Sequence, residues 1–376
     1  MQNGTQALGW PAQSAPGTPP RMASPSTQRI LELAHAEGFD LASLAPLTAP
    51  PRGEEYGRYL DQGRHADMGW MERGRERVQD PQQTLPAGRS ILALGLGFSR
   101  PLAPQTPGGT VARYAAGRDY HNLVGKKLKR LTRKLREEGL VNEARWIVDA
   151  GPLLERSHAA QAGLGFESKA TNLLHPLFGP WFFLAEILID AEVEGPTNPP
   201  LDITCGTCTA CLDACPTGAL VAPGELDARL CISYQTIENR GTIPEELRPQ
   251  LEGWLFGCDI CSEVCPFGHD TPNLTERFGL HPALERTDLE TLVDLSEEEF
   301  ATVFEGSPLR RPGRAGLARN AALLLGNEPG GRGPDALLHA LAADPSPIVR
   351  EAAAWSLERA FGEDARVRAA LDQVAR

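Results

Sequence analysis

The stretch of sequence that decides the fold reads Cys205-Gly-Thr-Cys208-Thr-Ala-Cys211-Leu-Asp-Ala-Cys215-Pro216. A second run, Cys258-Asp-Ile-Cys261-Ser-Glu-Val-Cys265-Pro266, follows it, and Cys231 lies between the two runs. Together these are all 8 cysteines of the 376-residue chain. Because every sulfur ligand falls in one short segment, we expect that segment to be organised around the cysteines.

The spacing of the first run indicates iron–sulfur chemistry. It matches the C-x2-C-x2-C-x3-C-P spacing of bacterial two-cluster ferredoxins, in which three thiolates bind one cluster and the fourth binds the other. The second run has Leu255 where this spacing requires a cysteine, and Cys231 restores the count. The predicted ligands are Cys205, Cys208, Cys211 and Cys265 for one 4Fe–4S cluster, and Cys215, Cys231, Cys258 and Cys261 for the other.

The cysteines have two other possible arrangements. An even number of cysteines can form disulfides, and C-x2-C pairs also bind structural zinc. A zinc site needs four ligands in two pairs, whereas three cysteines at successive three-residue steps fit one face of an iron–sulfur cube. We therefore predict two clusters and a role in electron transfer.

The composition is that of an ordinary globular protein. With 41% hydrophobic residues, a chain of this length can bury a sizeable core and divide into several domains. No apolar run reaches transmembrane length. Residues 1–27 are rich in Pro, Gly, Ser and Gln and lack both the order of a signal peptide and a twin-arginine pair. We predict a disordered N-terminal tail and a cytoplasmic location.

The chain is acidic overall but contains two basic segments. Its formal net charge of −12 argues against indiscriminate binding of nucleic acid. Residues 126–136 nevertheless form a predicted amphipathic helix with one positive face, which is either a solvated surface or a phosphate-binding surface. The candidate phosphate contacts are Lys126, Lys127, Arg130, Arg133 and Lys134 on this helix, and Arg310, Arg311 and Arg314 in a second patch.

Strand and helix signals alternate before the cysteine segment. A helical pattern begins near Ile30, and residues 55–62 form a second predicted helix. Apolar runs bounded by Pro or Gly predict strands at 90–98, 145–149 and 181–190. This alternation predicts an α/β layer.

The C-terminal region is rich in Ala and Leu and predicts helices separated by breaks that contain Gly and Pro. The predicted helices are 320–325, 336–342 and 349–361. The sequence around Pro347 resembles a HEAT-type repeat, whose helix pairs usually present a concave surface to a partner. The alternative is a scaffold that only caps the cysteine segment.

The sequence contains no nucleotide-cofactor fingerprint. The pairs Gly95/Gly97 and Gly163/Gly165 each begin a G-x-G-x-x-G pattern but lack its last glycine, and no P-loop pattern is present. The electrons must therefore pass to another kind of group.

Several further segments carry a family resemblance. They are Tyr114-Ala-Ala-Gly-Arg118-Asp119-Tyr120-His121, Val148-Asp149-Ala-Gly-Pro152-Leu-Leu-Glu-Arg156, Gly179-Pro-Trp181-Phe-Phe-Leu-Ala-Glu-Ile, and Leu226-Asp-Ala-Arg-Leu-Cys231-Ile-Ser-Tyr-Gln-Thr-Ile-Glu238. With the cysteine runs, they resemble the epoxyqueuosine reductase family from about residue 28 to the end of the chain. The resemblance implies an oxidoreductase that reduces epoxyqueuosine to queuosine at the wobble position of tRNA anticodons. It also implies that electrons pass through the two clusters to base-off cobalamin.

The resemblance assigns the proton donor to Asp149. Opening the epoxide requires a proton for the departing oxygen, and Asp149 closes a predicted strand just before the Gly151-Pro152 turn. Without the resemblance, a turn or helix-capping aspartate is the simpler interpretation. As a donor near neutral pH, Asp149 should have a pKa raised by desolvation against the corrin and the substrate.

The corrin contacts that we predict from the resemblance are spread along the chain. They are Arg73, Asp149, Lys169, Asn172, Leu173, Leu184, Cys258 and Asp259. The sequence departs from the family near one of them, because Phe166-Glu-Ser168-Lys169 replaces the more usual Trp-x-Gly-Lys.

The predicted fold class is a multidomain α+β protein. The predicted regions are a tail at 1–27, an α/β cobalamin-binding catalytic domain at 28–198, a ferredoxin-like domain with two 4Fe–4S clusters at 199–275 and a HEAT-like helical tail at 276–376. The expected partners are tRNA with a queuosine-type anticodon and an external low-potential electron donor. We expect a monomer without membrane contact.

Two other functions fit part of the sequence. A reductive dehalogenase also combines cobalamin with two ferredoxin-type clusters, but such enzymes are usually exported, and this chain has a basic helix and a repeat-like tail instead. A ferredoxin-like electron carrier would not need the long region that precedes the first cysteine. Bound cobalamin would exclude the carrier, and comparing tRNA with an organohalide as substrate would separate the two enzymes.

Overall fold

The computed structural model describes residues 24–327 and 334–374. The first helix, α1, spans Pro25–Ala36, and the side chain of Ser24 caps it by accepting a hydrogen bond from the amide of Thr27. Proline at the first helical position favours the same start. The predicted tail at 1–27 therefore ends earlier than expected, and its residues 1–23 lie outside the described residues.

The region before the cysteines contains most of the strands. Its elements after α1 are β1 Leu41–Pro46, α2 Gly53–Asp61, α3 Gly69–Gln79, β2 Ser90–Gly97, β3 Gln105–Thr106, β4 Gly109–Val111, α4 Tyr120–Glu137, β5 Ala144–Ile147, α5 Glu155–Gln161, β6 Phe166–Glu167, β7 Leu173–Leu174 and β8 Phe182–Ile189.

The cysteine segment contains short helices and strands, and the C-terminal region consists of helices. The segment contains α6 Ala210–Ala214, β9 Leu220–Ala222, β10 Glu225–Leu226, α7 Ile232–Ile237, β11 Trp254–Phe256 and α8 Ile260–Glu263. The C-terminal helices are α9 Pro282–Arg286, α10 Leu289–Asp294, α11 Glu297–Val303, α12 Gly313–Asn327, α13 Asp335–Ala343, α14 Pro347–Phe361 and α15 Ala365–Val374. Of these, α12 and α14 are the longest. Most of the break predicted between α12 and α13, at 328–333, lies outside the described residues.

The main sheet has the strand order β1-β2-β8-β5, and every neighbouring pair is antiparallel. Alternate residues of β2 face opposite sides: Leu92 and Leu94 pack with α1 and α4, while Ile91 and Ala93 pack with α5. Both faces of β2 are therefore buried, as its uninterrupted apolar sequence requires.

The antiparallel pairing corrects the predicted α/β layer. Alternating strands and helices are typical of parallel sheets, but here β8 lies between β2 and β5 and runs opposite to both. The prediction also missed β1, a short strand that follows α1 after only four residues. The layer is therefore α+β.

The predicted amphipathic helix is confirmed as α4, which covers one face of the sheet. Its buried stripe consists of Val124, Leu128, Leu131 and Leu135, each 0% exposed. None of the helices within the described ranges is long and apolar enough to cross a membrane.

A second core joins three parts of the chain. Strand β4 pairs in parallel with β11, so the first region and the cysteine segment share one small sheet. Leu255, which stands where the ferredoxin spacing has a cysteine, lies in β11 and is 1% exposed in this core. The core continues into α12, α13 and α14 and therefore crosses the predicted boundary at residue 276.

Buried polar contacts fasten the helical tail to the cysteine segment. Arg319 on α12 is 0% exposed and donates hydrogen bonds to the carbonyls of Gln235 and Asn239 at the end of α7. The neighbouring Asn320 donates to the carbonyls of Thr236 and Leu255. Since burying such groups without partners is costly, these bonds fix α12 against α7.

Candidate active site

A cleft of about 1200 Å³ separates α2 and α3 from the main sheet and reaches the cysteine segment. Aromatic side chains form much of its wall: Tyr56, Tyr59, Tyr114, Tyr120, Phe182 and Phe183. Cys231 and the start of α7 line the same cleft. The cleft therefore connects one of the cysteines to the sheet domain.

The loop after β5 brings Asp149 to this cleft. Asp149 has a left-handed backbone with φ +54°, which non-glycine residues seldom adopt. Gly151 is needed two residues later, because a Cβ there would lie 2.2 Å from Cγ2 of Ile147. The tight turn projects Asp149 outward, so that its side chain is 63% exposed.

His121 links two aspartates at the edge of the cleft. Its Nε2 lies 3.1 Å from Oδ2 of Asp149, and its Nδ1 lies 2.7 Å from Oδ1 of Asp119, the residue that caps α4. Burial alone would lower the pKa of His121, but the two carboxylates outweigh it and raise the pKa to about 9. At neutral pH the pair is therefore an imidazolium and a carboxylate.

The pKa of Asp149 depends on its partner. The hydrogen bond from His121 holds this pKa below its ordinary value, although desolvation acts in the opposite direction. The rise expected from desolvation by the corrin and the substrate stays a prediction. Sequence reasoning did not include His121 in the site, although the resemblance had already singled out its segment.

Tyr120 and Tyr114 add two neutral phenols to this wall. The ring of Tyr120 stacks on His121 at 4.1 Å and on Phe183 at 4.2 Å between centroids. Burial raises the pKa of both tyrosines well above the ordinary value. Both keep their protons across the neutral range, and the ring of Tyr120 holds the imidazole of His121 in place.

Two acidic side chains lie behind the Asp149 loop. Oε1 of Glu155 accepts a hydrogen bond of 2.9 Å from the amide of Asp149. Glu186, in the middle of β8, is 0% exposed. Sequence reasoning missed both residues, although an acid inside the apolar run 181–190 was a signal for Glu186.

All eight thiols fall into two neighbourhoods by their mutual charge interactions. Cys265 interacts with Cys205, Cys208 and Cys211, and these four line a cavity of about 50 Å³ that Cys261 also borders. Cys261 interacts with Cys215 and Cys231, and Cys258 interacts with Cys231 and Cys261. The groupings coincide with the two predicted ligand sets.

The eight cysteines are free thiols in the structure. No group of three or more His, Cys, Asp or Glu side chains within residues 24–327 and 334–374 is arranged to hold a single metal ion.

The predicted corrin contacts divide between two places. Arg73, Asp149 and Leu184 line the large cleft. Lys169 and Asn172 instead contact the small cysteine cavity: Nζ of Lys169 donates to the carbonyls of Gly206 and Cys208, and Asn172 donates to Ser262.

The other three predicted contacts are also absent from the cleft wall. Leu173 is buried in the core beneath α5. Cys258 packs at the edge of the second core. Asp259 is buried and accepts hydrogen bonds from the amide and guanidinium of Arg113. These five residues remain predictions that the shape of the cleft does not support.

Most cations of α4 are already engaged. The carboxylate of Glu37 lies 2.9 Å from Nε of Arg130 and 2.7 Å from Nζ of Lys134. The backbone carbonyl of Glu37 accepts a hydrogen bond from Nζ of Lys127. Arg133 pairs with Glu137 at 3.5 Å. Lys126 is exposed and has no hydrogen bond or ion pair to another described residue.

The arginines of the second basic patch differ in their exposure to solvent. Arg310 is exposed, and Arg311 forms a double hydrogen bond with Glu238 at the cleft wall. The side chain of Arg314 is only 7% exposed and pairs with Asp344 at 2.6 Å. The predicted phosphate contact at Arg314 is therefore wrong, because its guanidinium is enclosed in the helical tail.

Family models match two parts of the chain. A model described as "4Fe-4S double cluster binding domain" matches residues 204–268. A model described as "Epoxyqueuosine reductase QueG, DUF1730" matches residues 78–150. The two matches contain all eight cysteines and the segments of His121 and Asp149 respectively.

Curated relatives are similar over most of the chain. The epoxyqueuosine reductase of Pseudomonas aeruginosa is 37% identical and the match covers 92% of this chain and 96% of that protein. That of Xanthomonas campestris pv. campestris is 36% identical, with 88% and 94% covered. That of Escherichia coli is 35% identical, with 88% of each chain covered.

Solved structures are similar in fold. A selenomethionine-labelled epoxyqueuosine reductase has a TM-score of 0.79 at 29% identity, covering 92% of this chain and 97% of that chain. One with an epoxyqueuosine-modified tRNA-Tyr stem loop has a TM-score of 0.76 at 28% identity, covering 93% and 98%. One from Bacillus subtilis, with its catalytic aspartate loop swung out of the active site, has a TM-score of 0.76 at 28% identity, covering 92% and 98%.

Proposed function

The chain belongs to the epoxyqueuosine reductase family, and from this premise we propose that it reduces the epoxide of epoxyqueuosine in tRNA to the alkene of queuosine. It is an oxidoreductase. The reaction takes two electrons and two protons, and the epoxide oxygen leaves as water. The chain must therefore supply electrons and protons to the same place.

One observation carries this proposal: Asp149 and Cys231 line the same cleft. The first is a carboxyl group joined to a protonated imidazole, and the second is a thiol within the segment that matches the double-cluster domain. A substrate in this cleft would have the proton source and the electron supply within one cavity.

We propose that the two thiol neighbourhoods hold two 4Fe–4S clusters and that the cleft holds base-off cobalamin. The volume of the cleft exceeds the roughly 300–1000 Å³ of ordinary small-molecule pockets, and its aromatic wall suits a large planar ring. Arg73 and Leu184 are the proposed contacts. Once bound, these groups supply single electrons and a strongly reducing cobalt centre.

Asp149 is the proposed proton donor, with His121 as its source of protons. The imidazolium of His121 carries a proton at Nε2, directed at the carboxylate of Asp149. Asp119 on the other nitrogen stabilises the positive charge and fixes the orientation of the ring. In a closed cleft, Asp149 would take the Nε2 proton of His121 and pass it to the departing oxygen, and the second proton of the water would come from solvent.

The tRNA would reach the cleft with its wobble nucleotide out of the stack, as base-modifying enzymes require. The relative solved with a modified stem loop supports a tRNA substrate for this chain. Lys126 on α4 and Arg310 in the tail are exposed cations that would contact the phosphates, and Arg311 is bound to Glu238 of the cleft wall. An external low-potential donor would supply the electrons, and the chain would act as a monomer.

The test is conversion of the modified nucleoside. Anaerobically prepared protein is incubated with cobalamin, a reductant and tRNA that contains epoxyqueuosine, and the anticodon nucleosides are measured by mass spectrometry. We expect queuosine to form. Failure of the fully loaded protein to form queuosine would refute the proposed function.

The role of Asp149 is tested by Asp149→Asn. This variant should keep its iron and cobalamin but turn over about 100-fold or more slowly, the range for loss of a general acid. The control is Asp372→Asn, which changes an exposed aspartate on α15. Undiminished turnover by Asp149→Asn would exclude Asp149 as the donor.

A further inference from the structure

The Asp149 loop has an anchor at the start of the helix that follows it. Glu155 is the first residue of α5, and its Oε1 accepts the amide of Asp149 at 2.9 Å. This hydrogen bond holds the main chain of the loop, whereas His121 holds only the side chain. The anchor therefore acts on the position of the loop itself.

Glu186 supports Glu155 from within the sheet. It lies in the middle of β8, between Ala93 on β2 and Ile147 on β5, and is 0% exposed. Strand pairing on both sides fixes its backbone. Since β5 leads directly into the Asp149 loop, Glu186 lies beside the strand that carries the loop.

The carboxyl group of Glu186 holds a proton. Among the described residues, neither of its oxygens has a hydrogen-bond partner, and it interacts electrostatically with the carboxyl of Glu155. An unpaired carboxylate in an apolar core is costly, and a second carboxylate nearby adds to that cost. Burial raises the pKa of both groups, that of Glu155 to about 7.

The loop needs such an anchor because its conformation is strained. Asp149 has φ +54°, and a non-glycine residue keeps this conformation only when its surroundings impose it. A relative from Bacillus subtilis is known with its catalytic aspartate loop swung out of the active site, so the loop of that protein has a second position.

We propose that Glu155, braced by Glu186, is the positioning residue that holds the Asp149 loop in the cleft. This inference rests on the proposed function, in which Asp149 is the donor. Glu186 stands on a fixed strand and interacts with Glu155, and Oε1 of Glu155 accepts the loop amide. Loss of Glu155 would release the loop and leave the side chains of Asp149 and His121 unchanged.

The test compares Glu155→Leu with Glu155→Gln in cluster-loaded protein. Leucine cannot accept the amide of Asp149, whereas glutamine keeps an oxygen for that amide and an N–H for Glu186. Hydrogen exchange of the amides at 148–153, followed by mass spectrometry, should be about tenfold faster in the leucine variant, since one hydrogen bond is lost. The glutamine variant should exchange like the wild type.

Turnover should follow the same order. In Glu155→Leu, kcat should fall by about tenfold while the Kd for tRNA stays unchanged, and Glu155→Gln should restore kcat. If Glu155→Leu does not fold, Glu186→Leu provides the comparison, because it removes a buried acid and leaves Glu155 without its brace. We expect faster exchange of the loop in that variant as well.

The outcomes separate this inference from the proposed function. Equal loop exchange in Glu155→Leu, Glu155→Gln and wild type would overturn the positioning role, even if Asp149→Asn is inactive. Faster exchange in Glu155→Leu together with full turnover by Asp149→Asn would support the anchor and refute the proposed donor.

Discussion

His121 has an unusual charge state because it stands between two carboxylates. Its hydrogen bonds to Asp119 and Asp149 raise its pKa to about 9, well above the ordinary value of roughly 6.5. Arg311 and Glu155 also interact electrostatically with Asp149. Because the pKa of His121 is raised, its ion pairs are complete near neutral pH and are lost as the pH rises through about 9.

This charge state predicts how the reaction rate falls at alkaline pH, the alkaline limb of the pH–rate profile. The rate of the chemical step should fall with an apparent pKa near 9, because deprotonated His121 cannot resupply Asp149. His121→Asn should lower the rate by about 100-fold and abolish this limb. Single-turnover rates between pH 6 and 10 measure both effects.

A second histidine–aspartate pair provides the control. His339 on α13 lies 3.0 Å from Asp294, far along the chain from the cleft residues, and is exposed. His339→Asn should leave the pH profile unchanged. An alkaline limb that persists in His121→Asn would show that another group sets it.

For single residues, the spacing along the sequence predicted which side chains form the site. The sequence did not reveal which residues come together in the fold. The cysteine spacing predicted ligand sets that coincide with the thiol neighbourhoods, and the motif around Asp149 indicated a residue that lies in the cleft. The pair formed by Glu155 and Glu186 joins a loop to a distant strand, so no local pattern could predict it. The contact between His121 and Asp149 was missed for the same reason.

Helix α4 has a basic face, but its charges are not equivalent. Lys134 is bound to Glu37 at the end of α1, so it fastens one helix to another. Lys126 points to solvent without an ion pair to a described residue. A count of positive charges in the sequence therefore overestimates the number that are free to contact phosphates.

This difference predicts unequal effects on tRNA binding. Lys126→Ala should weaken binding and reduce the slope of log K against log salt by about 1, as expected for one lost phosphate contact. Lys134→Ala should change the slope much less and lower the thermal stability instead. Binding titrations at several salt concentrations measure the slopes, and equal slopes for the two variants would contradict the assignment.

The elements themselves were largely predictable, whereas their pairing was not. The apolar runs correspond to β2, β5 and β8, and the leucine stripe corresponds to the buried face of α4. The antiparallel order depends on contacts between strands that are distant in sequence, and β1 is too short to stand out from the helix before it. The periodicity of hydrophobic residues identifies helices and strands, but it does not show which strands pair with each other.

At the scale of the whole molecule, the helical tail belongs to the core of the cysteine segment. Residues of β4, β11 and α12 to α14 form one continuous apolar cluster. The sequence suggested boundaries from composition and proline content, but composition does not reveal which surfaces become buried together. Arg319 and Asn320 are the polar counterpart of this shared core.

The shared core predicts the result of truncation. Removing 312–376 should prevent stable iron binding, because it exposes the apolar surface of β11 and leaves the carbonyls of α7 without Arg319. Removing only 365–376 should preserve the iron content, since Val367 is the single buried side chain of α15. Iron assays after anaerobic purification make the comparison.

A truncated chain that ends at 311 and retains its full iron content would contradict this prediction. It would show that the cysteine segment folds without the tail. The shorter deletion serves as the control for the loss of chain length itself.

The parallel pairing of β4 with β11 has a consequence for exchanging parts between redox proteins. A ferredoxin domain is often treated as a unit that can be exchanged between proteins. Here, however, the strand that leads into Cys258 pairs with a strand from the first region of the chain. A substitute electron-supply unit would have to bring its own equivalent of Trp254–Phe256, in the same register, or β4 would lose its parallel partner. The part that can be exchanged is therefore the whole chain and not the cysteine segment alone.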